Sequence, residues 1–355
     1  MTLTSDRTRT LLYVGWTGQH NLGDDAIADA LIPRLPAIEP AHAPYRLGDF
    51  LGRIAHGGLR GSAYRALLLG GGTAIGRRNW RLVLSATGAT LARSRPWFLV
   101  GAGVEDPAFQ GVNSFSGNGE LTRWRDVLAR FDAVTVRGPR SVRLLDSVGV
   151  PARMVGDPAL LHEPAELPPA REKLLGINLG YGDDLWGHDH DRVVDAVAGL
   201  VRELAGGRDW RVRAIVVNPA DEPSARACLT SAGIGPDRAE VVVTPTTERF
   251  FTAVGECTLL VAERLHALVL AVAAGVPVVG LEYQPKCADF LGSVGAAEHS
   301  VRTDQVSATD LVERVTALAE DRPAESARLL GEVTILRKSL VAEVERIRES
   351  VLVSA

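Results

Sequence analysis

The chain has 355 residues, 46% of them hydrophobic and 23% charged, an ordinary globular composition long enough for two domains. Its 39 basic and 43 acidic side chains leave a net charge of −4, which speaks against a nucleic-acid partner, and short basic runs such as Arg77-Arg78 and Arg123 to Arg125 read as solvated faces. Three cysteines, Cys228, Cys257 and Cys287, fit neither a disulfide scaffold nor a metal-ligand spacing; no signal-peptide core precedes Leu11 and no apolar run is long enough to span a bilayer, so a cytoplasmic protein is expected.

In chain order, Leu11 to Val14 reads as a short buried strand, followed by a glycine-bearing loop through Asn21, Gly23, Asp24 and Asp25 and a helix from Ala26 to Leu35. Asp24 and Asp25 stand where a cap and a first-turn acid belong. The glycine spacing is neither a dinucleotide fingerprint nor a P-loop. Ala66 to Leu69 is a second strand, ending in Gly70-Gly71-Gly72, and Trp97 to Val100 a third. The Gly/Ser/Asn-rich run from Phe109 to Glu120 reads as a surface loop or lid. Ala133 to Val136 is a strand that delivers Arg137, with Pro139 opening the helix that carries Ser141 to Ser147. Gly156-Asp157-Pro158 follows, and the proline-rich Glu163 to Pro169 marks a domain boundary.

The second half repeats the alternation, with strands at Leu174 to Asn178, Val212 to Val217 and Val241 to Val243. His188 and His190 sit two apart on a polar loop, a spacing more typical of solvent-facing histidines than of a metal site, and no metal is expected. The densest chemistry lies between Leu259 and Lys286. A strand, Leu259 to Val261, delivers Glu263, Arg264 and His266; an apolar helix runs to Gly275; a second strand, Val276 to Leu281, delivers Tyr283 and Lys286. Ligands of open parallel sheets bind outside the carboxyl ends of strands, where helix N-termini favour anions. Arg264, His266 and Lys286 therefore point to a small, multiply charged anion. Arg264 and His266 converge only if Arg264 lies in the turn before the helix. The plain alternative pairs Arg264 with Glu263 and makes His266 a core histidine. Arg328 to Val353 reads as a long helix, broken near Gly331.

Strand–helix alternation with polar loops at one end of each strand predicts an α/β protein of two doubly wound Rossmann-like domains facing a cleft, at residues 1–165 and 166–325, with 326–355 a helix bracing them.

Five pieces in order carry a family resemblance: Gly15-x-x-Gly18-x-x-Asn21-x-Gly23-Asp24; Gly70-Gly71-Gly72; Val136-Arg137-Gly138-Pro139; Gly156-Asp157-Pro158-Ala159-Leu160; and Arg264-Leu265-His266-Ala267 with Tyr283-x-x-Lys286. Together they resemble the polysaccharide pyruvyl transferase family. The resemblance implies a GT-B-like fold, phosphoenolpyruvate as donor, a sugar hydroxyl pair as acceptor, a cyclic pyruvate ketal as product and release of phosphate. It places Arg264 and His266 at the donor site, with Arg137 from the opposite domain. Gly138 stands where many members have Asp, and Glu263 where Met is common.

Phosphoenolpyruvate presents a carboxylate and a phosphate, and Arg137, Arg264 and Lys286 offer cations to match, with Leu265 and Tyr283 beside them. His266 is the expected general acid or base; Asp24 or Asp157 would take a proton from the sugar hydroxyl; Asn21, with Gly23, Gly71 and Gly72, would hold the acceptor. No cofactor beyond the donor is expected. Two alternatives remain: a glycosyltransferase using a nucleotide sugar, with Glu282 as its ribose-binding acid, and a non-catalytic sugar- or anion-binding protein.

Overall fold

The computed structural model describes residues 10–16, 22–35, 39–43, 46–56, 64–90, 95–109, 119–164, 166–180, 182 and 184–353. Two parallel sheets organise them. The first runs, edge to edge, Glu39–Ala43, Thr10–Val14, Tyr64–Gly70 and Trp97–Val100. It is prolonged past Trp97–Val100 by bridges to Phe131 and Val136 and by the parallel pair Thr135–Val136 with Arg153–Met154. The second runs Ala239–Val243, Arg211–Val216, Leu174–Asn178, Leu259–Ala262, Val278–Glu282 and Ser300–Arg302. Numbered by chain position, that order is 3-2-1-4-5-6, the dinucleotide-fold order, whose switch point lies between Leu174–Asn178 and Leu259–Ala262. The first sheet switches between Thr10–Val14 and Tyr64–Gly70. Loops leaving the two sides of each switch point diverge, and a crevice opens between them.

An apolar core joins the two halves. Tyr13 and Ile27 pack with Leu160 from the connecting segment and with Leu265 and Leu268 from the other sheet's helix. The same core takes in Leu329, Val333, Leu340 and Val344 of the last helix, Arg322–Val353. That helix contacts both halves. Arg337 donates to the carbonyls of Leu160, His162 and Ala273, and the buried Glu343 accepts from Arg153 at 2.7 Å. Leu340 is fully buried there. Leu340→Ala is expected to lower stability by about 2–5 kcal/mol, the usual range for such a cavity, read as an earlier urea-unfolding midpoint.

Several elements differ from the sequence reading, among them the last helix, which starts at Arg322 rather than Arg328. The first helix is Leu22–Leu31 rather than Ala26 to Leu35, so Asp24 and Asp25 lie inside its first turn, where acids suit the helix dipole. Pro33 lacks the amide an α-helix needs and falls in a 3-10 turn, Ile32–Arg34. The last helix passes through Gly331 unbroken. A side chain there would meet nothing within 4 Å, so this is an exposed glycine whose modest propensity cost is outweighed by the buried leucines around it. Glu39–Ala43 has no apolar run to announce it; its Pro40 is tolerated because the strand lies at the sheet edge.

Candidate active site

A cavity of about 430 Å³ lies where the two switch points meet. Its first wall comes from Gly15 and Trp16 after Thr10–Val14, Gly23 and Asp24 of the first helix, and Gly71, Gly72 and Arg77 after Tyr64–Gly70. Its second wall comes from Asn218, Arg264, Leu265, His266, Tyr283 and Lys286. Of the residues singled out by sequence, Asp24, Gly23, Gly71, Gly72, Arg264, Leu265, His266, Tyr283 and Lys286 thus face one space. Asn21 and the 110–118 stretch of the expected lid fall outside the described residues.

The convergence of Arg264 and His266 has a local cause. Arg264 keeps an extended backbone, and the helix Leu265–Ala273 begins after it. Arg264 therefore sits in the turn, as convergence requires. Its backbone amide donates to Asn178 Oδ1 at 3.1 Å, which ties the turn to the neighbouring strand. Its guanidinium forms a two-armed pair with the fully buried Asp221, Nε to Oδ2 at 2.9 Å and Nη2 to Oδ1 at 2.5 Å. The Glu263 pairing weighed from sequence is corrected: Glu263 turns away and accepts the Gly180 amide at 2.7 Å.

His266 lies against Gly23, where an added Cβ would overlap the imidazole, so only glycine lets the first helix approach so closely. Behind His266 is a buried charged row. Asp157 Oδ2 stands 3.8 Å from His266 Nε2 and 3.7 Å from Arg137 Nη1. Arg137 Nε is in turn 3.9 Å from Asp289 Oδ2. Asp157 Oδ1 accepts the Ala159 amide at 3.0 Å and caps the short helical turn Pro158–Leu161. Asp289 accepts the amides of Arg140 and Ser141 and the Ser141 hydroxyl, and so caps a helix of the opposite half. Arg137 and Asp157 are fully buried and are not among the residues lining the cavity; both stand behind His266. The row's long spacings leave His266 Nε2, Asp157 Oδ2 and Arg137 Nε and Nη1 without hydrogen-bond partners among the described residues. Catalytic contacts are commonly loose before substrate binds and tighten afterwards.

Burial sets the protonation states. It pushes the Asp24 carboxyl up to about 7, reinforced by Asp157 and Asp25 and opposed by Lys286 and Arg77. It pushes His266 down to about 4, helped by the charges of Arg137 and Lys286 and opposed by Asp157. Lys286, whose ammonium lies 4.6 Å from the centre of the Tyr283 ring, falls to about 8 through burial and then through Arg77, Arg137 and Arg264.

Arg77, read from sequence as a solvated charge, is a wall residue. Asp221 and Asp289 also escaped the sequence reading. Asp221 follows the Asn218-Pro219 strand end, a weak signal; Asp289 lies one helical turn past Lys286 with nothing local to mark it. Glu282, weighed as a ribose-binding acid, is engaged elsewhere. It accepts from Trp186 Nε1 at 3.2 Å, and the Trp186 ring is covered by Arg302 at 4.1 Å and Phe109 at 4.8 Å. His190 bonds the Ser224 hydroxyl at 3.1 Å, and the described residues contain no cluster of three or more metal-ligand side chains. No helix among them is long and apolar enough to cross a membrane.

Solved structures give the fold its wider setting. A putative UDP-N-acetylglucosamine 2-epimerase from Listeria monocytogenes is 12% identical with a TM-score of 0.61, over 96% of this chain and 95% of that one. S. aureus MnaA with UDP is 11% identical at 0.60 over the same shares, and Acinetobacter baumannii MurG 13% identical at 0.53 over 96% and 99%. At these identities the likeness shows the fold alone, and that fold is GT-B-like. No curated protein is a significant match. The family model for polysaccharide pyruvyl transferases matches residues 21–285, about three quarters of the chain, and takes in the Asp24, Arg137, Asp157 and Arg264-Leu265-His266 segments. The chain therefore belongs to the polysaccharide pyruvyl transferase family, a family of transferases.

Proposed function

We propose that the protein transfers the pyruvyl group of phosphoenolpyruvate to two hydroxyls of a sugar, forming a pyruvate ketal and releasing phosphate. The observation that carries this reading is the charge pattern of one cavity: Arg77, Arg264 and Lys286 converge on the same space as a carboxyl that holds its proton to about pH 7 and an imidazole that stays neutral to about pH 4. Groups whose surroundings drive their pKa values apart in this way take opposite roles in proton transfer.

In this mechanism Asp24, protonated, gives its proton to the methylene carbon of the donor. The positive character that develops at C2 is met by the first sugar hydroxyl, and neutral His266 accepts that hydroxyl's proton. The C2–O bond to phosphate breaks, the second hydroxyl closes the ketal, and its proton leaves with phosphate or returns to Asp24. One hydroxyl proton thus replaces the one given to the methyl group, and the other leaves as part of hydrogen phosphate. This reverses the role expected for Asp24, from base to acid, because its carboxyl lies too far above the usual range to be a constant acceptor. Asp157 orients His266 rather than touching the acceptor. Trp16 offers an aromatic flank to a sugar ring at the cavity mouth.

The nucleotide-sugar alternative is weakened by the Glu282 corner, where a ribose would meet a carboxylate already bonded by Trp186, whose ring has Arg302 over its face and Phe109 packed against it at nearly a right angle. Calorimetric titration separates the readings. Phosphoenolpyruvate is expected to bind, and UDP- and GDP-sugars to give no heat. Binding of a nucleotide sugar alone would overturn the pyruvyl-transfer reading.

A further inference from the structure

We propose that Arg77 and Lys286, one from each sheet, form the subsite for the donor's phosphate, leaving Arg264 and the helix start behind it to the carboxylate. The proposal rests on phosphoenolpyruvate being the donor and assigns its direction in the cavity.

Arg77 is held for this task. Gly76 before it has φ of +91°, and a Cβ there would come 3.0 Å from Cβ of Glu105. The turn folds Arg77 back so that Nε donates to Glu105 Oε2 at 2.6 Å, and Glu105 is only 5% exposed. That bond fixes the guanidinium on the cavity wall. It also leaves both terminal nitrogens without a hydrogen bond among the described residues. Opposite, the Lys286 ammonium has an aromatic face beneath it but no hydrogen bond or ion pair among the described residues.

Arg264 differs. Two of its three nitrogens, Nε and Nη2, are committed to Asp221, whereas Arg77 commits only Nε to Glu105. More of the uncommitted donors therefore lie at the Arg77–Lys286 end, with Nη1 alone left at Arg264. Arg77 is also the largest neighbouring charge disfavouring protonation of Lys286. Two like charges carried by different sheets and pushed into one space is an arrangement that an anion between them relieves. Asp24 feels both cations, but it is one carboxyl against two positive groups and is itself held towards its neutral form. A phosphate dianion suits the end where the two terminal nitrogens of Arg77 and the Lys286 ammonium have donors to spare, and an arginine presents it a planar pair of donors. The carboxylate, with one charge, then falls to Arg264 and the amides at the start of Leu265–Ala273, which the N-cap side chain leaves uncapped. Bound this way, the phosphate links the two sheets through charge–charge contacts, and its release removes that link.

The test titrates wild type and Arg77→Gln with phosphoenolpyruvate, inorganic phosphate and pyruvate. Arg77→Gln is expected to weaken phosphoenolpyruvate and inorganic phosphate each by tenfold or more, and to leave pyruvate within about twofold. Arg77→Lys, which keeps the charge without the fork, should recover part of the loss. Because Arg77→Gln leaves Glu105 unpaired, the double variant Arg77→Gln/Glu105→Gln is measured beside it, with thermal unfolding as the folding control. If wild type binds phosphoenolpyruvate and both variants bind it and phosphate equally well, the Arg77 subsite is overturned while the donor reading stands. If inorganic phosphate binds through Arg77 but phosphoenolpyruvate does not bind, the donor reading falls and with it the orientation proposed here. If wild type binds neither anion, both fall.

Discussion

Replacing His266 with asparagine is expected to lower kcat by about 10²–10⁴-fold, the range typical of a lost general acid or base. That corresponds to roughly 3–5 kcal/mol of barrier at 1.36 kcal/mol per tenfold. The size follows from the state of the imidazole. Burial and the charges of Arg137 and Lys286 push it down to about 4, so at neutral pH it has a lone pair ready for a hydroxyl proton. Asparagine fills a similar space against Gly23 but cannot take that proton. Donor affinity should change much less, because Arg77, Arg264 and Lys286 remain. The measurement is phosphate release at saturating donor, paired with a calorimetric donor affinity for the same variant. Near-wild-type turnover in His266→Asn would remove His266 from the proton-transfer step.

The parts of this site that the sequence exposed are those whose geometry is local. A cation and a histidine two residues apart at a strand end, ahead of an apolar helix, describe a turn, and the turn is where the structure holds Arg264. Glycines at the ends of Thr10–Val14 and Tyr64–Gly70 likewise mark where the backbone must come close, and His266 fills the space that Gly23 leaves. The parts that stayed hidden depend on partners far along the chain. Arg77 looks like surface until Glu105, 28 residues away, folds it onto the wall. Asp221 becomes the partner of Arg264 across 43 residues, displacing the adjacent Glu263 that proximity favours. Arg137 has the sequence position of a ligand cation, at a strand end before a helix. The structure places it between Asp157 and Asp289, and Asp289 approaches it from the other half of the molecule. Strand order was equally non-local: alternation predicts parallel sheets, but the 3-2-1-4-5-6 arrangement that creates the switch point emerges only from the pairing.

Asp24→Asn is expected to lower kcat by about the same 10²–10⁴-fold and to erase one limb of the pH profile. As the acid, Asp24 must carry its proton, which it holds below about 7 and loses above. His266, as the base, must be free of its proton, which holds above about 4. Lys286 must be charged to hold the donor, which holds below about 8. The profile of kcat/KM for phosphoenolpyruvate, which reports the free enzyme, should therefore be level between about 4 and 7, fall above 7, and fall more steeply above 8. The donor's own ionisation enters every variant alike, so the decisive comparison is between proteins. Asp24→Asn should lose the fall at 7, and Lys286→Arg, charged throughout, should lose the steepening at 8. An unchanged profile and turnover in Asp24→Asn would reject Asp24 as the acid. Stability gives an independent reading of the same group. The folded protein holds the Asp24 proton to about 7 against an ordinary carboxyl value of 3.8, so it binds more protons than the unfolded chain across that interval and stability falls as pH rises through it. Asparagine has no proton to lose. Asp24→Asn should therefore unfold at higher denaturant than wild type at pH about 8 while turning over far more slowly, a combination that a general packing defect would not produce.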